Sequence, residues 1–182
     1  LENFSIIDRA DQLMLFRLIR GKDDKNHPEM ALPKPQQLCD VYSFARNTRQ
    51  KLSLALEKQI PEFLDRKPEI ANIMKEYEER KRERNFLDYD DILAIVATAL
   101  EQSPALVEWV AQQSRVMLVD EMQDTNPLQW ALLEPLKDHV SLFCVGDDAQ
   151  SIYGFRGADF ENIHHFKERV PDAKVLKLSK NY

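Results

Sequence analysis

Apolar residues recur at helical spacing through roughly the first two thirds of the chain, then give way to short continuous runs. Over residues 8–20 the apolar positions fall on one helical face, and Gly21 follows as a stop. Residues 22–35 hold three prolines and several charges and read as a loop. Pro35 opens a helix carrying Leu38, Val41, Tyr42, Ala45 and Leu52, predicted to run to about Gln59. Pro61 and Pro68 mark short breaks. Residues 68–84 form a highly charged helix whose acids and bases alternate at i, i+4, as in Glu76/Arg80 and Glu78/Arg82, the pattern of a solvated face. Asp88 is placed to cap the next helix, with Asp90 and Asp91 in its first turn and Ile92, Leu93, Val96 and Leu100 on its apolar face. Capping alone accounts for these acids. A last short helix spans residues 104–114.

The pattern changes at Val116-Met117-Leu118-Val119, which runs straight into Asp120-Glu121. Such a run suits a strand buried on both faces of a parallel sheet, and ligands collect at the carboxyl ends of these strands. A second apolar run, residues 140–145, ends at Gly146-Asp147-Asp148. Between them, Asn126 and Pro127 signal a helix start, and Leu128, Leu132, Leu133 and Leu136 supply its buried side. Residues 159–169 read as a further helix and residues 174–178 as a third strand. The fold class is therefore α/β, with a helical part over residues 1–114 and part of an α/β domain over residues 115–182.

Composition sharpens this division. Residues 1–86 carry 17 Lys and Arg against 15 Asp and Glu, whereas residues 87–182 carry 8 against 16. The acidic half suits divalent-metal chemistry, and the first half is only mildly basic. No apolar run approaches the roughly 20 residues that span a bilayer, and the first residues do not form a signal peptide. Cys39 and Cys144 lie far apart, in no metal spacing, as in a reduced cytoplasmic protein. Adjacent His164 and His165 would point about 100° apart on a helix and do not chelate one ion. Three of the four glycines fall between residues 146 and 157, among polar, aromatic and cationic residues, a composition suited to touching a polyphosphate and a flat base.

Three segments, taken together, carry a family resemblance. They are Asp120-Glu121-Met122-Gln123-Asp124-Thr125-Asn126, then Gly146-Asp147-Asp148-Ala149-Gln150-Ser151-Ile152-Tyr153-Gly154-Phe155-Arg156-Gly157-Ala158, then residues 176–182 ending in Asn181-Tyr182. In content, order and spacing they resemble motifs II, III and the start of IV of UvrD/Rep-type superfamily 1 DNA helicases. Met122 stands where that family usually has Phe, Ala149 where it has Asp, and Phe155 where it has Trp. The resemblance implies a partial RecA-like parallel sheet of the P-loop NTPase type, the later half of motor domain 1A, preceded by the mainly helical insertion 1B. It implies ATP and Mg²⁺ as cofactors. Asp120 resembles the Mg²⁺ ligand, Glu121 the base that orders the attacking water, and Gln150 the sensor of the γ-phosphate. Gln123 and Tyr182 resemble nucleotide contacts, Tyr182 by stacking on adenine. Tyr153, Phe155 and Arg156 resemble the contacts to single-stranded DNA.

No Gly-x-x-x-x-Gly-Lys-Ser/Thr phosphate loop occurs in the chain. The family carries it upstream of the matching stretch, so the expectation is a piece of a larger helicase. Its partners would be the rest of that helicase chain, single-stranded DNA and single/double-strand junctions, without a membrane. The isolated piece is expected to be inactive. Two other readings stand beside this one: a non-catalytic DNA- or protein-binding helical module, and part of a helicase–nuclease.

Overall fold

A computed structural model describes residues 3–21, 31–147 and 166–178. Helix α1 (Arg9–Arg20) opens on Asp8, whose carboxylate accepts the N–H groups of Ala10 and Asp11 at 2.8 and 3.0 Å, and closes at Gly21 with φ of 72°. The stretch predicted as one helix over residues 35–59 is two, α2 (Pro35–Thr48) and α3 (Leu52–Gln59). Arg49 takes a left-handed backbone, φ 54°, and the Gln50 N–H returns to the Ala45 carbonyl at 3.1 Å. This is a glycine-type stop built without glycine, so composition gives no sign of it. A 3₁₀ segment, Pro61–Arg66, leads into α4 (Lys67–Glu83).

Helices α1 to α4 enclose the larger core, which includes Phe16, Leu38, Val41, Leu56, Ile70 and Tyr77. Two short parallel strands, β1 (Ser5–Ile6) and β2 (Phe86–Leu87), close one side of it. Each has only two residues, too few to show a period in sequence. Phe16 stacks on Tyr77 with centroids 4.3 Å apart, and Tyr42 meets Tyr77 edge-on at 4.9 Å.

The charged helix α4 is not simply solvated. Arg80 does pair with Glu76 at 2.6 Å. Glu78, however, accepts from the Tyr42 hydroxyl on α2 instead of pairing with Arg82, and Lys81 is 2% exposed. The Lys81 ammonium donates to Tyr42 Oη (2.9 Å), Asp88 Oδ2 (2.8 Å) and Asp91 Oδ2 (2.6 Å). An ammonium has three protons, and all three are used. Asp88 and Asp91 belong to the start of α5 (Tyr89–Gln102), where Asp88 also caps the helix through the Asp91 N–H at 2.8 Å. Capping therefore explains only part of what these acids do.

Helix α5 packs on α7 (Pro127–Leu133) through Ala97, Leu128 and Ala131. Helix α6 (Pro104–Gln113) joins a second small core made by Leu100, Val107 and Leu136 with Met117 and Val140 beside them. These helices cover one face of a parallel pair, β3 (Val116–Val119) and β4 (Ser141–Cys144), in register Val116↔Ser141 to Val119↔Cys144. The expectation of burial on both faces is corrected. Side chains alternate along each strand, and those on the uncovered face, Val116, Leu118 and Phe143, are more than half exposed, Leu118 by 74%. The third strand expected at residues 174–178 is also absent. That stretch is irregular, pairs with no strand among the described residues, and leaves Leu178 97% exposed. Before it, α8 (Phe166–Arg169) rests on α7, where the Arg169 guanidinium lies 4.6 Å over the buried Trp130 ring and Lys137 Nζ donates to the Arg169 carbonyl at 2.9 Å. No helix among the described residues is long and apolar enough to cross a membrane.

Candidate functional site

The acids that follow β3 and β4 stand at the same end of the parallel pair. Asp120 comes directly after β3 and is exposed; its Oδ1 accepts the Glu121 N–H at 2.9 Å. Glu121 takes a left-handed backbone, φ 50° and ψ 46°. For a residue other than glycine this costs about 1–2 kcal/mol. It turns the chain out of the strand into a single 3₁₀ turn, Met122–Asp124, in which the Asp124 N–H donates to the Glu121 carbonyl at 2.8 Å. Backbone held in a sparsely populated conformation and retained there is a recurrent mark of functional sites.

The turn is fixed from below. Met122 is buried and its N–H donates to the Val145 carbonyl at 2.9 Å, while the Val145 N–H donates to the Val119 carbonyl at 2.8 Å. The ladder thus extends past the last strand residues and ties the two acidic loops together.

Gln123 makes the tie direct. Its side chain is 1% exposed; Nε2 donates to Glu121 Oε2 at 2.6 Å, and Oε1 accepts the Asp147 N–H at 3.0 Å. One amide therefore holds the Glu121 carboxylate and the start of the loop after β4. An amide suits this place because it offers a donor to the carboxylate and an acceptor to the N–H at once. Thr125 closes the turn by donating its hydroxyl to the Met122 carbonyl at 2.7 Å, and Asn126 caps α7 by accepting the Gln129 N–H at 2.9 Å.

Among the described residues, no three His, Cys, Asp or Glu side chains lie close enough together to hold a metal ion. A magnesium ion does not require such a cage: it keeps several waters and binds one or two carboxylates together with substrate phosphates. Asp120, an exposed hard-oxygen donor at a strand end, fits that mode. Gln150, Tyr153, Phe155, Arg156 and Tyr182, along with His164 and His165, lie outside the described residues.

Residues 1–171 match the model of the UvrD/REP helicase N-terminal domain. The chain belongs to this family. Its relatives include the ATP-dependent DNA helicase Rep of Buchnera aphidicola subsp. Schizaphis graminum, 34% identical over 181 residues, 99% of this chain and 26% of that protein. The ATP-dependent DNA helicase UvrD1 of Mycobacterium tuberculosis is 32% identical over 191 residues, and the ATP-dependent DNA helicase PcrA of Staphylococcus epidermidis 31% over 181, each covering 99% of this chain and 24% of the relative. The chain thus spans about a quarter of the length of the curated relatives it matches. The UvrD/REP match bears out the resemblance drawn from Asp120-Glu121 and the glycine-bearing loop.

Sequence motifs pointed to Asp120, Glu121 and Gln123. They did not reveal the left-handed backbone at Glu121 or the use of Gln123 as a bridge to Asp147. The left-handed residue has no compositional signal, since glutamate is not a residue that favours that region.

Proposed function

We propose that this chain is part of an ATP-dependent DNA helicase of the UvrD/REP type, one that couples ATP hydrolysis to translocation on single-stranded DNA and to duplex unwinding. Residues 1–114 would form its helical insertion and residues 115–182 the later half of its first RecA-like motor domain. The observation that carries the reading is the Asp120–Glu121 pair at the carboxyl end of a parallel strand, bridged through Gln123 to the loop after the neighbouring strand. The strand-end position is where nucleotide-hydrolysing α/β folds place their acids.

In this reading Asp120 holds Mg²⁺, and the ion, when bound, neutralises phosphate charge. Glu121 orients the attacking water and takes its proton. The Gln123 donor keeps the Glu121 carboxylate aimed, and the left-handed backbone at Glu121 turns the chain out of the strand. Gln150 senses the γ-phosphate and Tyr182 stacks on adenine. Tyr153, Phe155 and Arg156 meet single-stranded DNA, at single/double-strand junctions as well as on free strands. In this reading the protein works in the cytoplasm, and these 182 residues, which hold no phosphate-loop motif, do not turn over ATP by themselves.

Glu121→Gln in the full-length protein tests the assignment. The substitution keeps size and hydrogen bonding but removes the base. Nucleotide should still bind while hydrolysis falls by about 10²–10⁴-fold. Normal turnover would assign the proton transfer to another residue.

A further inference from the structure

Two buried side-chain amides link the helical part of the molecule to the start of α7, which follows closely on the turn after Glu121. Asn47, near the end of α2, is 4% exposed. Its Nδ2 donates one proton to the Ser43 carbonyl at 2.9 Å and the other to Asp90 Oδ1 at 2.8 Å. Its Oδ1 accepts from Asn126 Nδ2 at 3.0 Å. Asn126 is buried too, and its own Oδ1 is the cap of α7. The other oxygen of Asp90 accepts from the Ser43 hydroxyl at 2.6 Å.

The arrangement has a single consistent direction. Asp90 is a carboxylate that faces donors only, so it fixes which end of the Asn47 amide is the NH₂. That choice presents the Asn47 oxygen to Asn126, which fixes the Asn126 amide in turn and leaves its oxygen for the helix cap. Turning Asn47 over would set oxygen against carboxylate at one end and NH₂ against NH₂ at the other. A polar network that uses both protons and the oxygen of a buried amide, as at Asn47, rigidifies what it joins. What it joins here is α2, α5 and the first turn of α7, immediately after the segment 120–125.

We propose that Asn47 and Asp90 are positioning residues for the Asp120–Glu121 pair, acting through Asn126. The helical part thereby sets the placement of the hydrolytic acids across the α2–α7 contact. The inference rests on the hydrolytic reading of Asp120 and Glu121 given above.

The test uses the full-length protein, with ATP turnover and amide hydrogen exchange measured on the same variants. Asn47→Asp replaces the donor facing Asp90 with an acceptor and sets two carboxylates against each other. It should lower kcat by about 10–100-fold, the scale expected of a catalytic group misplaced by an ångström or less, with KM for ATP nearly unchanged. Exchange at the capped Gln129 amide should quicken. Adding Asp90→Asn restores the donor–acceptor pair at that position with its sense reversed, though not the bond to the Ser43 carbonyl, and should recover part of the lost kcat, which mere damage to the core would not permit. Asn126→Asp keeps an oxygen for the helix cap but breaks the link to Asn47, so it should reproduce the fall in kcat even if Asn47→Asp does not fold.

Unchanged kcat in Asn47→Asp or Asn126→Asp, with a Glu121→Gln control inactive, overturns the positioning role and leaves the hydrolytic reading standing. A fall in kcat that Asp90→Asn does not relieve overturns it as well. If Glu121→Gln itself hydrolyses ATP normally, the hydrolytic reading fails and the inference fails with it.

Discussion

The Lys81 ammonium lies 2.8 Å from Asp88 Oδ2, with the Lys81 side chain 3% exposed and that of Asp88 fully enclosed. Around them, Lys81 also stands 4.6 Å from the centre of the Tyr77 ring and 5.0 Å from that of Tyr42. Burial and the Asp88 charge push both phenols well above their usual range, so they remain neutral donors; Tyr77 gives its proton to Asp88 Oδ2 at 3.0 Å. Lys81→Met would leave Asp88 buried without its cation, while Asp91 keeps Arg46 at 2.9 Å. A loss of about 3–5 kcal/mol is expected, read by urea unfolding, and adding Asp88→Asn should recover part of it.

The same pair gives a pH dependence. Burial alone would raise the Asp88 pKa, but the Lys81 charge, the Lys81 hydrogen bond and the Asp91 N–H outweigh it and hold Asp88 below its ordinary value of 3.8. A carboxylate depressed in the folded state contributes stability that is present above the unfolded value and lost as pH falls through the folded one. Asp88→Asn keeps the cap and removes the charge. It should be markedly less stable than the parent at neutral pH, and the gap should close below pH 3.8. Unfolding curves collected across that range decide the point; a gap independent of pH would remove the charge from the account.

Gln123 is expected to be intolerant in an informative order. Gln123→Ala deletes the bridge and leaves the Asp147 N–H without its acceptor, at a cost of about 1–3 kcal/mol. Gln123→Glu keeps the acceptor for Asp147 but faces the Glu121 carboxylate with a second one. It should therefore impair ATP turnover in the full-length protein more than alanine does. Thermal unfolding and phosphate release separate the two effects.

The cysteines should behave as inert thiols. Burial pushes Cys39 up to about 12 and Cys144 up to about 11. The thiolate is the reactive form, so a chromogenic disulfide near neutral pH should label neither quickly until the protein is unfolded. Raising the pH should accelerate labelling of the half-buried Cys144 first. Rapid stoichiometric labelling of the native protein at neutral pH would contradict this.

Phe155 and Arg156 carry the expectation for DNA. In the full-length protein, Phe155→Ala should weaken single-strand binding by roughly 1–3 kcal/mol with little dependence on base sequence. Arg156→Ala should weaken it more at low salt, because a phosphate contact releases counterions. Anisotropy titrations with labelled oligonucleotides at several salt concentrations check both, and unchanged affinity in each would remove this loop from the DNA interface.

Much of the helical part was legible because its signals are local. Gly21, Asp88, Asn126 and Pro127 each act within one turn, and each stands where the pattern put it. The run from Val116 into Asp120 likewise shows its strand in sequence. What could not be read depends on partners far along the chain. Lys81 sits in a run of charges, and only the approach of α2 and α5 makes it a core residue. Asn47 looks like an ordinary polar helix residue until Asp90 and Asn126 arrive on either side. The 174–178 run has the composition of a strand, yet a strand exists only where a neighbour completes its ladder. At the site, motif content identified the acids, while the backbone at Glu121 and the reach of Gln123 are products of the tertiary turn.

The parallel register of β3 with β4 also bears on the order in which the protein assembles. Parallel neighbours cannot be joined by a hairpin, so Val116 and Ser141 meet only after the whole intervening segment, α7 included, has crossed back over the sheet. The first sheet closes a far longer loop, since Ser5 pairs with Phe86, and local contacts form faster than distant ones. The β3–β4 pair, with the acidic end it carries, is thus expected to form before β1 meets β2. Pulse-labelled exchange during refolding would read this as protection of the Val145 amide, which bonds to the Val119 carbonyl, arriving before that of the Ile7 amide, which bonds to the Leu87 carbonyl.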